Sequence, residues 1–265
     1  MPVFSPDTVL AMRSAQRAGE TVMNVYNRDF SVSEKDGGEP VTKADTDSDA
    51  VIREMLQSVG YPILSEESAD DLARLSADKV WIVDPLDGTA DFIRRTGEFS
   101  IMIALVRDGI PIAGIIYQPT EQRLYVAEKG IGAFAQQGDF KELRVNAVAD
   151  LGAARAITSR HHFQESEQKL LERLGVTLFV PKGSAGLKVA DIAAGGAELY
   201  FTVTNKIKQW DTAAAHCLIH EAGGSMTSMK GAPLVYNTKD VHHEDGIVAS
   251  NGAIHQLVVD AYRTS

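Results

Sequence analysis

The sequence has a single cysteine, Cys217, among 265 residues. No disulfide can form within the chain, which is typical of proteins from reducing compartments. Basic residues are also in deficit, because 26 Lys and Arg stand against 36 Asp and Glu, for a formal charge of −10. This balance argues against general binding to nucleic acid or to anionic lipid, since both depend on clustered positive charge. An anionic small substrate would therefore need a local cation, from a metal ion or from a few basic side chains.

Long apolar runs are missing as well. No stretch approaches the roughly 18 consecutive apolar residues of a membrane-spanning helix, and the N-terminal segment lacks the basic and apolar regions of a signal peptide. We therefore predict a cytoplasmic protein without an integral membrane segment, and the sequence leaves peripheral membrane association open. The remaining composition, 44% hydrophobic and 23% charged residues, is ordinary for a globular protein with a sizeable core.

The pattern of apolar residues changes near the middle of the chain. Before residue 150, two predicted helices (about 7–27 and 45–59) precede strands and hairpins, and residues 35–45 are predicted to form a turn-rich loop. After residue 150, strands and helices alternate, as in α/β folds. We predict an α/β protein that forms one unit over 1–265. Its two lobes are an α+β lobe over 1–150 and an α/β lobe over 151–265.

Acidic residues follow apolar strands at three places that lie far apart in the sequence. Glu66 and Glu67 follow "PIL", Asp84 and Asp87 follow "WIV", and Asp211 follows "KQW". Strand ends are where α/β folds place ligands, and unpaired carboxylates are costly to bury. A divalent cation relieves this cost. Carboxylates without His or Cys at ligand spacing favour Mg²⁺, with Mn²⁺ as the alternative, over Zn²⁺.

The segment from Asp84 to Thr89, "DPLDGT", fits such a site. Gly88 lets the backbone approach a ligand closely, and a helix that starts there would offer free N–H groups to phosphate oxygens. Taken alone, Asp87 is better explained as a helix cap or a turn residue. The joint occurrence of four carboxylates after strands is not explained by capping. Asp91 has no ligand role in this scheme, and we predict that it is exposed in the first helical turn.

These motifs resemble those of the metal-dependent, lithium-sensitive phosphatases, the inositol monophosphatase superfamily. The family pattern Asp-Pro-(Ile/Leu)-Asp-Gly-(Thr/Ser) stands at 84–89, the Glu-Glu pair at 66–67 and the Trp-Asp pair at 210–211. The match extends from about Pro40 to Gly224. The resemblance implies a layered α/β/α/β/α fold, a hydrolase that acts on phosphomonoesters, and two to three Mg²⁺ ions held mainly by the N-terminal lobe. It leaves a homodimer open.

The resemblance also implies a set of metal ligands. Glu66, Asp84 and the Leu86 carbonyl would hold the first ion. The second ion would be held by Asp84, Asp87 and Asp211, and Asp211 would also touch the substrate. A third and weaker ion would use Glu66 and waters, which gives Glu66 a part in catalysis.

Further roles follow from the same resemblance. Asp45 and Thr89 would together activate a metal-bound water for in-line attack on phosphorus. Backbone N–H groups of Gly88 and Thr89 would contact the phosphate. Glu67 is the alternative to Glu66 as a ligand, although the family uses the first glutamate of the pair.

Within the superfamily, the sequence looks most like the bacterial 3′(2′),5′-bisphosphate nucleotidases. That branch removes the 3′-phosphate from adenosine 3′,5′-bisphosphate, a by-product of sulfate activation. Inositol phosphatases resemble one another in having a glutamate before Trp-Asp that binds a sugar hydroxyl. Here residues 199–210 contain no acidic residue, and Lys206 and Lys208 add positive charge. This difference favours a substrate with a second anionic group.

Two further segments match the nucleotidase branch. "ITSRHH" at 157–162 makes Ser159 and Arg160 candidates for nucleotide contact, and "GSAGLK" at 183–188 does the same for Ser184 and Lys188. For Lys188 a solvated charge at a helix start is an equally open reading. Two alternative functions remain open: an inositol-1-monophosphatase or broad sugar phosphatase, and a catalytically silent protein that binds a phosphometabolite.

Overall fold

The computed structural model describes residues 1–34 and 40–264. Residues 35–39 of the loop predicted over 35–45 therefore lie outside the described residues. The rest of that prediction is wrong, because Pro40–Thr42 form a strand and a helix begins at Lys43. The described residues form seven α-helices: α1 Pro6–Tyr26, α2 Lys43–Leu56, α3 Thr89–Ile93, α4 Glu165–Leu174, α5 Ala185–Ala193, α6 Ala213–Glu221 and α7 His255–Arg263.

They also form fourteen strands: β1 Val32–Glu34, β2 Pro40–Thr42, β3 Ile63–Ser65, β4 Lys79–Asp87, β5 Ser100–Arg107, β6 Ile110–Gln118, β7 Arg123–Glu128, β8 Gly132–Gln137, β9 Asp139–Glu142, β10 Arg155–Ser159, β11 Leu178–Lys182, β12 Leu199–Thr202, β13 Ser225–Thr227 and β14 Ile247–Ser250. The seven strands β3 to β9 lie side by side in sequence order, and only β3 and β4 pair in parallel. A five-stranded sheet has the order β11-β10-β12-β14-β13, in which β14 runs antiparallel to its neighbours.

Helices cover both faces of the seven-stranded sheet, and the alternation of side chains along its strands shows how. On β4, Trp81 and Val83 join a core that includes α1 and α2, whereas Val80 and Ile82 join a core with α5 and α6. Because both faces are buried, the strands read as continuous apolar runs rather than as alternating ones.

The five-stranded sheet is covered in the same way. One face shares the core of α5 and α6, and Leu199 and Phe201 on the other face pack with α4 and α7. The layers are therefore α1/α2, large sheet, α5/α6, small sheet and α4/α7. The predicted α/β/α/β/α architecture is confirmed.

Helix α6 lies unusually close to the large sheet. A Cβ atom on Gly114 of β6 would lie 2.3 Å from the carbonyl oxygen of Ala214. Any other residue at 114 would push the helix away from the strand. The glycine thus fixes the seat of α6, the helix that follows Asp211.

The chain differs from the sequence predictions at several boundaries. Strand β4 does not end at Asp84 but continues to Asp87 through an irregular pairing with β5. Helix α6 begins at Ala213, two residues after Asp211. Strands β1 and β2 form a separate antiparallel pair, the large sheet draws its strands from 63–142, and the five-stranded sheet draws its strands from 155–250. A division into lobes near residue 150 stays a prediction. Among the described residues, no helix has both the length and the apolar character needed to cross a membrane.

Candidate active site

Three carboxylates from distant parts of the sequence meet at one end of the large sheet. Oxygen atoms of Glu66, Asp84 and Asp211 all lie within 4.8 Å of one another. Asp84 is 2% exposed, and the other two are partly buried. The predicted convergence of these three residues is therefore present in the structure.

Strand pairing explains how Glu66 and Asp84 come together. Strand β3 pairs in parallel with β4, so Glu66, directly after β3, lies beside the end of β4 that carries Asp84. The loop after β3 is anchored on both sides of Glu66, because the hydroxyls of Ser65 and Ser68 each donate to Asp49 on α2. Sequence analysis missed Asp49. Asp49 lies four residues after Asp45 and therefore on the same face of the helix, and this spacing could have identified it from the sequence.

Asp211 reaches the site from the turn that precedes α6. The backbone N–H of Lys208 donates to Asp211 Oδ2 over 2.7 Å, and this fixes the carboxylate within its own turn. The carbonyl of Gln209 accepts from the N–H of Ala213 over 2.9 Å and so opens the helix. The side chain of Asp211 therefore lies at a rigid junction rather than on a free loop.

The electrostatics of this cluster are unfavourable without a cation. Burial, and then the negative charges of Glu66, Asp87 and Asp211, raise the pKa of Asp84 well above its ordinary value. Burial and the charge of Glu66 do the same to the pKa of Asp211. A cluster of oxygen donors that is short of positive charge fits a hard divalent cation such as Mg²⁺.

A hydrogen-bonded pair lies next to this cluster. The hydroxyl of Thr89 donates to Asp45 Oδ1 over 2.9 Å and also lies 3.2 Å from the Leu86 carbonyl oxygen. The other carboxylate oxygen of Asp45 accepts from the N–H and the hydroxyl of Thr42, which forms a capping box at the start of α2. Burial raises the pKa of Asp45. A buried carboxylate with a raised pKa, in contact with a hydroxyl, is suited to accept a proton from that hydroxyl.

Asp87 does not join the three-carboxylate cluster in this structure. Its side chain accepts from the hydroxyl of Ser184 and from the backbone N–H groups of Ala185 and Gly186, at 3.1 and 2.9 Å, at the start of α5. The hydroxyl of Ser184 is therefore directed to a carboxylate of the site. The ligand role of Asp87 and the substrate role of Ser184 stay predictions.

Asp91 was expected to be exposed, and that prediction is wrong. The side chain is 1% exposed, accepts from Thr96 and lies 3.4 Å from Arg160 Nε and 3.0 Å from His161 Nε2. Positively charged and polar partners from two segments compensate for the loss of hydration of the Asp91 carboxylate. The local sequence around Asp91 does not reveal these partners. Arg160 also binds Glu98 at 2.6 Å, so two carboxylates hold the guanidinium proposed to contact a nucleotide.

The remaining predicted contacts differ in character. Ser159 accepts from the backbone N–H of His162 over 3.1 Å. Lys188 is 5% exposed with its Nζ 5.1 Å from the centre of the Tyr200 ring, so the solvated reading of this lysine is wrong. Burial lowers the pKa of Lys188, against the nearby negative charges of Asp87 and Asp91. Among the described residues, no carboxylate forms an ion pair with this ammonium group.

Known proteins resemble the chain along nearly its whole length. A family model described as the inositol monophosphatase family matches residues 5–265. The 3′(2′),5′-bisphosphate nucleotidase CysQ of Escherichia coli (strain K12) is 35% identical over 233 residues, which is 85% of this chain and 92% of that protein.

Solved structures give the same picture. The extragenic suppressor protein suhB from Bartonella henselae superposes with a TM-score of 0.85 at 27% identity and covers 98% of this chain and 100% of its own. CysQ from Bacteroides thetaiotaomicron, a bacterial member of the inositol monophosphatase family, superposes with a TM-score of 0.79 at 30% identity over 94% of this chain and 98% of its own.

Proposed function

The chain belongs to the inositol monophosphatase family and is a phosphoric monoester hydrolase, and on that premise we propose that it removes the 3′-phosphate from adenosine 3′,5′-bisphosphate. The products would be AMP and phosphate, in a step of sulfur metabolism. The observation that carries the proposal is the convergence of Glu66, Asp84 and Asp211 beside the pair of Asp45 and Thr89. We set aside the catalytically silent alternative.

In this proposal, Glu66, Asp84 and Asp211, with Asp87 and the Leu86 carbonyl, hold two to three Mg²⁺ ions, for which Mn²⁺ can substitute. When bound, the ions polarise the phosphoryl oxygens, activate the attacking water and stabilise the developing charge. The family is metal-dependent, and the cluster of oxygen donors supports this part of the proposal.

The chain's own residues handle the proton. A water that donates to Thr89 Oγ1 is oriented for in-line attack, because the hydroxyl proton of Thr89 already points to Asp45 over 2.9 Å. The proton passes along this pair to Asp45, whose pKa burial has raised. Backbone N–H groups of Gly88 and Thr89 orient the phosphate, the bond to the 3′ oxygen breaks as the water oxygen bonds to phosphorus, and the leaving 3′ oxygen takes up a proton from solvent.

The choice of substrate rests on charge. Residues 199–210 have no carboxylate for a sugar hydroxyl, and Lys188 provides a buried ammonium group within range of the charge of Asp87. A buried cation without a carboxylate partner among the described residues suits a second phosphate. The similarity to the nucleotidase of Escherichia coli over 85% of the chain supports the same choice. A cytoplasmic location and a homodimer also stay predictions.

Phosphate-release kinetics with Mg²⁺ on adenosine 3′,5′-bisphosphate, inositol 1-phosphate and fructose 1,6-bisphosphate test the substrate. We expect the highest kcat/KM for the bisphosphate nucleotide and loss of all activity in EDTA. Lys188→Met should lower kcat/KM for the nucleotide by about 10- to 100-fold, as removal of a charge-assisted contact does, and spare inositol 1-phosphate. The matched control is Lys141→Met, on the exposed edge strand β9.

A preference for inositol 1-phosphate would replace the substrate with that of an inositol monophosphatase. The match of residues 5–265 to the inositol monophosphatase family model is the observation that favours this second candidate. Full activity in EDTA would refute the metal-dependent mechanism for either substrate.

A further inference from the structure

One buried arginine lies in an otherwise exposed loop next to the metal-binding cluster. From Ala69 to Ser76 every residue is exposed except Arg74, which is 1% exposed. The loop begins at Glu66, eight residues before this arginine. A guanidinium is costly to bury unless its donors are satisfied, so its partners indicate what the loop is attached to.

The partners of Arg74 belong to two different segments. Its Nε and Nη2 donate to Asp70 Oδ2 at 3.0 and 2.7 Å, within its own loop. Arg74 also contacts the segment that follows β13. Its Nη1 donates to Asn237 Oδ1 at 2.8 Å, and its Nη2 donates to the carbonyl of Thr238 at 3.0 Å. In return, the side-chain amide of Asn237 donates to the Arg74 carbonyl at 3.0 Å.

The same segment is fastened to the turn that carries Asp211. Gln209, 1% exposed, accepts from the backbone N–H of Asn237 at 2.7 Å and donates to the hydroxyl of Thr238 at 2.6 Å and to the carbonyl of Asp240 at 3.1 Å. Gln209 precedes Asp211 by two residues, and its carbonyl opens α6. A continuous set of hydrogen bonds therefore joins the Glu66 loop to the Asp211 turn.

We propose that Arg74 is a positioning residue that, through Asn237 and Gln209, holds Glu66 and Asp211 at metal-binding distance before any ion arrives. This inference rests on the proposed function, because it assumes that the carboxylate cluster binds the catalytic ions. Without an ion, the like charges of the cluster repel one another and push the two loops apart. The Arg74 contacts oppose that separation, so the ion does not have to order both loops when it binds.

Direct metal binding tests the inference without any substrate. We expect Arg74→Met to weaken Mn²⁺ binding, measured by electron paramagnetic resonance or calorimetry, by about 10-fold, the lower end of effects seen for residues that support metal ligands. In kinetics, the Mg²⁺ concentration for half-maximal activity should rise by a similar factor. At saturating Mg²⁺, kcat should return close to the wild-type value.

Arg155→Met is the control, because Arg155, like Arg74, binds a carboxylate through its guanidinium group, here that of the buried Glu198 at 2.6 Å. We expect it to lower the melting temperature and to leave Mn²⁺ affinity unchanged. This separates an effect on the metal site from a general loss of stability.

A second variant covers the case in which Arg74→Met does not fold. Asn237 has φ +56°, a conformation that glycine adopts freely, so Asn237→Gly deletes the side-chain contacts without straining the backbone. It should weaken Mn²⁺ binding by about threefold, since it removes only part of the connection.

Wild-type Mn²⁺ affinity in Asn237→Gly, and in Arg74→Met where it folds, would overturn the inference and leave the proposed function standing. A wild-type chain that binds no Mn²⁺ would overturn both.

Discussion

Asp84 and Glu198 are both buried carboxylates, but the protein treats them in opposite ways. Glu198 is 0% exposed and accepts hydrogen bonds from Asn146 and from the side chain and backbone of Arg155. These contacts lower the pKa of Glu198 despite its burial. Asp84 accepts from the N–H of Leu86 and otherwise faces acidic neighbours, which raise its pKa.

The difference separates a structural site from a functional one. Donors that the chain itself supplies make Glu198 a fixed part of the junction between β10 and β12. At Asp84 the chain brings the negative charges of Glu66, Asp87 and Asp211 together, and the charge of Lys208 near Asp211 offsets them only in part, which leaves a deficit of positive charge. Such a deficit is costly in the free protein and is useful only where a cation is to be bound.

Among the variants that test this comparison, Asp84→Asn should have the largest effect on turnover. Turnover should fall by at least about 10³-fold, a loss of about 4 kcal/mol of transition-state stabilisation. Stability in EDTA should stay equal or rise, because the substitution removes one of several repelling charges. Phosphate-release assays and thermal melts in EDTA measure the two quantities. A variant that keeps its turnover would contradict the metal-ligand role, and one that fails to fold would make Asp84 resemble Glu198.

Glu198→Gln makes the same chemical change at the other site and should have the opposite outcome. Loss of the charge-assisted bonds from Arg155 should lower the free energy of unfolding by about 2 kcal/mol. The kinetic constants should stay at wild-type values, because Glu198 has no part in the cluster. Urea denaturation and phosphate-release kinetics check this. A loss of turnover greater than the loss of folded protein would show that the two sites are coupled.

The smallest expected effect is the pH dependence of stabilisation by Mg²⁺. The pKa values of Asp84 and Asp211 are raised above 3.8, so in EDTA their contribution to stability falls as pH rises from that value through the folded pKa. Mg²⁺ holds both groups ionised, so its stabilising effect should grow by about 1.4 kcal/mol per pH unit for each proton that binding releases.

Glu198 provides the contrast in sign. Its pKa is lowered below 4.5, so its contribution is present above that value and is lost as pH falls through the folded pKa. Melting curves from acid to neutral pH, with EDTA and with Mg²⁺, separate the two. Stabilisation by Mg²⁺ that does not change with pH, or that is unaltered in Asp84→Asn, would refute the link between Mg²⁺ binding and the ionisation of these two carboxylates.

Much of the site could be predicted from the sequence because its signals are local. Glu66 and Asp84 each follow an apolar strand, and parallel pairing of β3 with β4 brings them to the same edge. Thr89 lies at the start of α3, next to the glycine that the motif predicts. Apolar runs flanked by turn residues were also enough to predict that hairpins follow the first two helices, as they do in the large sheet.

The features that sequence analysis missed depend on contacts between distant residues. The burial of Asp91 requires Arg160 and His161, about seventy residues away. The continuation of β4 through Asp87 requires pairing with Ser100 on β5. Sequence analysis missed the burial of Arg74 because two of its partners, Asn237 and Thr238, lie more than 160 residues further along the chain, although Asp70 is a local one.

Helix α6 packs closely on β6 at Gly114, and its late position in the sequence affects the order in which the site is assembled during synthesis. The large sheet is complete once residue 142 has been made, yet Asp211 and the helix that covers that sheet come some 70 residues later. At roughly 5–20 residues per second, several seconds pass in which one face of the sheet is not yet covered by α6 and Asp211 has not yet joined Glu66 and Asp84. A nascent chain can therefore form the scaffold early, but the cluster of Glu66, Asp84 and Asp211 is complete only after residue 211 has been made.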